Sequence, residues 1–185
     1  MAPGLLATLL LVPAGAVAGD ILAASATHVD GRYKLSIRAR IDAPRELVHR
    51  TITDYSNLAA INPDILASEL LETTPAGVST VRTVIEVCIL VFCKQVQQLQ
   101  RVTHPDLDTI EAVIVPEGSD FRSGFARWQL SSPTAATTVL QFNEIFEPDF
   151  WVPPVIGPWL IQRKLVREVA ETAAYIEALQ GSGRP

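Results

Sequence analysis

The clearest pattern in the chain is the alternation from Tyr33 to Ile41. Tyr33, Leu35, Ile37, Ala39 and Ile41 fall on one side, and Lys34, Ser36, Arg38 and Arg40 on the other. That predicts a half-buried strand with one wet face. Asp42-Ala43-Pro44 follows as a helix start, with Asp or Ala at the cap and the proline in the first turn. Leu47, Val48, Thr51 and Ile52 make a short apolar stripe. Asp54 to Asn57 breaks it and caps a second short helix, which Asn62-Pro63-Asp64 ends.

A series of strand-like segments comes next. Ile65 to Leu71 is one, closed by a turn over Thr73 to Gly77. Val81, Thr83, Ile85, Val87 and Ile89 share a face on the next. Gln95 to Thr103 is less regular, because Val96, Leu99 and Val102 recur every third residue. It is read as a strand because its neighbours are strands. Thr109 to Val115, Phe121 to Leu130 and Thr137 to Phe146 complete the set, the last two divided by Ser131-Ser132-Pro133. The turns are short, so neighbours in sequence should pair antiparallel. Finally Ile161, Leu165, Val169, Ala173, Ile176 and Leu179 recur at helical spacing, with Arg163, Lys164, Arg167, Glu168 and Glu171 mainly on the other side and Gly181 as the stop. This order predicts an α+β fold: a curved antiparallel sheet of about seven strands around a long C-terminal helix, with two short helices after the first strand. Such a sheet leaves a cavity under the helix unless large side chains fill it.

Composition changes this picture mainly at the N-terminus. The 185 residues are 48% apolar and 19% charged, with a net charge of −5, a pI near 5.2 and a mean hydropathy of +0.24. That is too apolar for a disordered chain, and too acidic for a protein that must neutralise nucleic-acid phosphates. Residues 1–19 hold no charged side chain, and Leu5 to Val17 is an apolar block ending in Ala16-Val17-Ala18. This predicts a signal peptide over residues 1–18 and a secreted or periplasmic domain over 19–180, followed by a flexible tail over 181–185. No Lys or Arg precedes the block, so an uncleaved membrane anchor is the rival reading and a buried N-terminal helix the plainest one.

The two cysteines, Cys88 and Cys93, frame an apolar run. On one straight strand they point to opposite faces and cannot bond. A disulfide, which an oxidising compartment favours, therefore requires a hairpin with Ile89, Leu90, Val91 and Phe92 at its tip. The alternative is a continuous buried strand with two free thiols. An apolar tip of this kind would need an apolar contact, a membrane or a partner.

Several marked segments resemble the START/polyketide cyclase superfamily, also called SRPBCC or helix-grip. They are Ile41-Asp42-Ala43-Pro44 with Val48, Thr53-Asp54-Tyr55, Asn62-Pro63, Phe121-Arg122-Ser123-Gly124 with Trp128, and Phe150 to Pro158 entering the last helix. The resemblance covers roughly residues 33–180. Its Trp-Val-Pro-Pro segment and paired cysteines look like an exported bacterial branch, polyketide cyclase/dehydrase or coenzyme Q-binding-like. It implies a hydrophobic ligand cavity and no shared set of catalytic residues, since superfamily members include enzymes, carriers and allergens.

The candidate chemistry is sparse. His28, His49 and His104 show no metal-ligand spacing, and no nucleotide, dinucleotide or nucleophile-elbow fingerprint occurs, so neither metal nor cofactor is expected. Glu144 shares parity with Leu140, Phe142 and Phe146, while Gln141 and Asn143 share it with Val139 and Ile145, so a polar group goes inward whichever face does. A buried carboxylate needs a partner or a raised pKa, and Arg82 and Arg127 on neighbouring strands are the candidate partners. Glu144, and more weakly Glu86, are the candidates for acid/base work. Arg82, Phe121, Arg127, Trp128, Phe142, Trp151 and Trp159 are the candidates for holding a ligand. Phe150 to Leu160 carries two tryptophans, three prolines and no charge. It is either core, the lid of a cavity, or a surface for lipid. The expected partner is a lipid-, quinone- or polyketide-like small molecule bound by a carrier. The alternatives are a cyclase/dehydratase-type enzyme and a membrane-docking module without ligand.

Overall fold

The computed structural model describes residues 19–89, 92–153 and 155–182. The predicted leader over residues 1–18, the tip residues Leu90 and Val91, and the last three residues of the tail lie outside that set, as do the side chains of Ile89 and Phe92. The elements are β1 (Asp20–Val29), β2 (Arg32–Ile41), α1 (Arg45–Ile52), α2 (Leu58–Ile61), β3 (Ile65–Thr73), β4 (Ser79–Ile89), β5 (Phe92–Thr103), β6 (Thr109–Ile114), β7 (Phe121–Thr134), β8 (Thr137–Pro148) and α3 (Gly157–Gly181). The strands form one antiparallel sheet in the order β1-β2-β8-β7-β6-β5-β4-β3. β1 and β3 are its edges, and they do not pair, so the sheet stays open.

The eighth strand is β1, which the hydrophobic pattern does not announce. It is rich in alanine, and its register slips between Ile21 and Ala23, so its period is broken. His28 sits within this strand, stacked on Tyr33 at 4.4 Å. The turn into β2 is Asp30-Gly31, with φ of 52° and 78°. Two successive positive φ values make the tight hairpin turn whose twist suits flanking strands, and Asp-Gly is a preferred sequence for it.

Three further boundaries differ from the sequence reading. Pro44, not Asp42 or Ala43, is the N-cap of α1. Ser131-Ser132-Pro133 continues β7, across a register irregularity between Ser131 and Thr134, and the chain turns just beyond it. Proline is tolerated where the ladder is already interrupted. The three-residue spacing in β5 also has a cause. Val96 and Val102 face the core, whereas Leu99 faces outward beneath the 115–119 loop. The loop takes up the strand's backbone groups there: the Val115 N–H donates to the Leu99 carbonyl at 2.8 Å, and the Leu99 N–H donates to Ser119 Oγ at 2.8 Å.

The inner face of the sheet meets α3. Its C-terminal half packs solidly: Ala173 and Ile176 join Ile41, Ala43, Val48, Leu130 and Leu140 in one buried cluster. Fixing α1 beneath it, Thr138 Oγ1 donates to the Ala43 carbonyl at 2.7 Å in a fully buried position. The N-terminal half of α3 begins at Gly157, where an added Cβ would lie 2.9 Å from Val152 Cγ1 and 3.1 Å from the Tyr33 hydroxyl. Glycine thus lets the helix start close against β2.

Candidate functional site

Between the first half of α3 and the inner face of the sheet lies a cavity of about 300 Å³. Its hollowness follows from which residues sit at the middle of the sheet. The register runs Leu35–Glu144–Ala126–Ala112–Val102 from β2 across to β5. Two adjacent alanines leave room that larger side chains would have filled. Around them Trp128 and Phe142, with ring centroids 4.9 Å apart, form one wall. Phe121, edge-on to both Phe146 and Phe150 at 5.7 Å, forms another. Ile52, Tyr55 and Leu58 close the end under α1 and α2, and Val87, Cys88, Val152 and Leu160 line the opposite end.

The lining is chiefly apolar, with a small polar set. Glu144 is deep in the protein with no ion pair or hydrogen bond to another side chain among the described residues, and what surface it keeps opens into the cavity. Burial, together with the nearby Glu168 carboxylate, pushes its carboxyl up from 4.5 to about 7. Glu168, from α3, is also raised by burial, against the pull of Lys164. Lys164 is the one cationic side chain lining the cavity among the described residues. It is committed: its ammonium bonds Asp64, donates to Glu168 at 2.8 Å, and donates to the Glu86 backbone carbonyl at 3.2 Å. Burial pushes Asp64 upward, but hydrogen bonds from Lys164 and from Arg167, at 2.5 Å, outweigh it and hold the carboxyl below its ordinary value. The remaining polar lining is uncharged: Thr83, Gln98, Gln100, Asn62 and the Tyr55 phenol. Thr83 Oγ1 is buried without a hydrogen-bond partner among the described residues. Tyr55 shares a 2.9 Å hydrogen bond with His104 Nε2, and burial raises its phenol well above the ordinary value.

The residues singled out from sequence separate into two groups. Phe121, Trp128, Phe142 and Glu144 come together on the cavity. Arg82, Arg127 and the Glu86 side chain stand on the outer face of the sheet. Arg82 pairs with Glu69 at 3.3 Å, and Arg127 with Glu111 at 2.6 Å, so neither serves Glu144. Trp151 and Trp159 are 76% and 58% exposed, with Val155 at 90% beside them. They flank the end of the cavity that Val152 and Leu160 line. Cys88 and Cys93 are directly opposite across the β4–β5 hairpin and are joined in a disulfide.

Sequence reasoning missed Lys164, Glu168 and Asp64. A signal for two of them existed. Positions 161, 164, 165 and 168 follow the i, i+3, i+4, i+7 spacing of one helical face, so Lys164 and Glu168 flank the apolar stripe rather than opposing it. Asp64 lies in the bend before β3, and only the folded chain brings it under α3.

No protein-family model and no curated protein matches the sequence. Solved structures do. A START superfamily protein from Mycobacterium smegmatis superposes with a TM-score of 0.68 at 18% identity, over 79% of this chain and 98% of that one. The Zhui aromatase/cyclase from a Streptomyces species gives 0.61 at 16% identity, over 83% and 96%. A STAR-related lipid transfer protein from Xanthomonas axonopodis gives 0.61 at 14% identity, over 86% and 98%. The chain has the START-like, helix-grip fold.

Proposed function

We propose that the protein is a carrier that holds a hydrophobic small molecule between α3 and the sheet. The observation that carries this reading is the cavity itself: about 300 Å³, lined mainly by aliphatic and aromatic side chains, with a few polar groups at fixed points. The lipid-transfer and aromatase/cyclase proteins that share the fold add support. A secreted or periplasmic location agrees with the leader pattern of residues 1–18 and with the disulfide. No described helix is long and apolar enough to cross a membrane.

Native mass spectrometry of the protein purified from its own host tests the reading directly. Co-purification of a lipid-, quinone- or polyketide-like molecule is expected, and Ala126→Leu, which fills the middle of the cavity, should expel it. A molecule that persists unchanged in Ala126→Leu would mean that it binds elsewhere.

Delivery at a membrane surface belongs to the same proposal. Trp151, Val155 and Trp159 are exposed beside one end of the cavity, and the Arg163 guanidinium lies 5.6 Å over the Trp159 ring. Tryptophan beside a cation suits the lipid interface. The Ile89 to Phe92 tip belongs to the hairpin whose Val87 and Cys88 line that same end. Trp151→Ala with Trp159→Ala should cut flotation with anionic liposomes about tenfold. Unchanged flotation would remove the membrane step and leave the carrier intact.

A second reading, an acid/base enzyme of cyclase or dehydratase type, has one observation in its favour: Glu144 opens into the cavity with a carboxyl titrating at about 7. Conversion of the co-purifying molecule by the wild type, abolished in Glu144→Gln, would establish it.

A further inference from the structure

The charges of the cavity narrow the chemistry of what it can hold. Two carboxyl groups, Glu144 from β8 and Glu168 from α3, are on its lining. The one lining cation among the described residues, Lys164, is saturated by Asp64, Glu168 and the Glu86 carbonyl. Arg167, the next cation on α3, is turned to Asp64 and to Glu171, which lies 3.9 Å away. From the sheet side, Leu35 and Ala126, the residues paired with Glu144, contribute no charge. The other polar lining groups, Thr83, Gln98, Gln100, Asn62 and Tyr55, are neutral and can donate or accept a hydrogen bond.

We propose that the cavity takes hydrophobic molecules whose polar end is uncharged, a hydroxyl or a carbonyl, and excludes those whose polar end is an anion, fatty-acid carboxylates foremost. This rests on the carrier reading and specifies its ligand class. A carboxylate brought inside would face Glu144 and Glu168 without a free cation, in a place where like charges are poorly screened. An alcohol or ketone meets no such cost. A protonated Glu144 donates to its oxygen, and an ionised Glu144 accepts from a hydroxyl. Thr83 and the two glutamines offer further partners.

The test compares ligands of one chain length on the full protein: dodecan-1-ol, dodecan-2-one, methyl dodecanoate and dodecanoate, by calorimetric titration at pH 8. The alcohol, ketone and ester should bind, and dodecanoate should bind at least ~30-fold more weakly, the size expected for an uncompensated like charge in a partly screened site. Methylation of the acid should thus restore binding without any change to the protein. Glu144→Gln, which keeps the shape and removes one carboxylate, should narrow the acid–alcohol gap several-fold. Dodecanoate binding within threefold of the alcohol, or a gap indifferent to Glu144→Gln, would overturn the inference while the carrier reading stands. Failure of all four ligands to bind would overturn the carrier reading and this inference together.

Discussion

The two halves of α3 cover the same sheet and do opposite things with it. The C-terminal half presents Ala173 and Ile176, both fully buried, to Ile41, Val48, Leu130 and Leu140. The N-terminal half presents Ile161, Lys164, Leu165 and Glu168 to a cavity. The difference lies mostly in the sheet. Large aliphatic residues rise to meet the helix at one end, whereas Ala112, Ala126, Gln98, Gln100 and a carboxyl group face it at the other. One half supplies stability, and the other gives some of it up to a cavity. The packed half is therefore the anchor that lets the hollow half exist, since a hollow forfeits both burial and dispersion contacts.

This contrast can be broken at either end. The largest effect should come from Ile176→Ala, which opens a void in the packed half and should cost about 3 kcal/mol in denaturant unfolding. Ile161→Ala borders a space that already exists, so it loses the transfer term of a half-buried side chain with little added cavity and should cost about 1–2 kcal/mol. Equal losses at the two positions would mean that the halves do not differ as described.

Next in size is the buried acid. Glu144 holds its proton more tightly folded than unfolded, since its carboxyl is raised from 4.5 to about 7. Its full stability is present below about 4.5, falls as pH rises through that window, and the cost is complete above about 7. Glu144→Gln should therefore leave stability unchanged near pH 4 and raise it by about 2–3 kcal/mol at pH 8, read from thermal melts across pH. A constant offset at all pH values would show that Glu144 is solvated in the cavity.

The disulfide stands outside the contrast and should matter less. It closes a loop of only five residues' separation in a hairpin already held by its ladder, so Cys88→Ser with Cys93→Ser should cost about 1–2 kcal/mol and leave the sheet intact by circular dichroism. The smallest effect belongs to the outer face. Arg82→Ala breaks an exposed pair with Glu69 and should change stability by less than about 0.5 kcal/mol, with ligand retention unaffected.

Much of this was legible locally, because it depends on residues a few positions apart. The wet and dry faces of β2, the stripe of α3 and the two short helices follow from side-chain period. So does the shared face of Glu144, Phe142 and Phe146, although the fold decided that this face looks inward. The edge strand β1 escaped because its alanines and a register slip blur the period, although Asp30-Gly31 marked its turn. The expected pairing of Glu144 with an arginine failed for a different reason. Arg82 and Arg127 were reasonable from neighbouring strands, but inward and outward alternate with every residue. The pairing of β3 with β4 and of β6 with β7 gave them Glu69 and Glu111 on the far face.

The sequence alone thus determined most of the extended and helical segments, all but the edge strand β1, and most of the residues that they hide, because those are matters of period, cap and turn. It also required that Cys88 and Cys93 could bond only across a reversal of the chain. The tertiary structure decided which hidden residues meet. Asp64, Lys164 and Glu168 become one cluster, and Glu168 comes to bear on Glu144, only when the open sheet curves beneath α3. Electrostatic energy and empty volume depend on distances between elements far apart in the chain, and no local pattern encodes those distances.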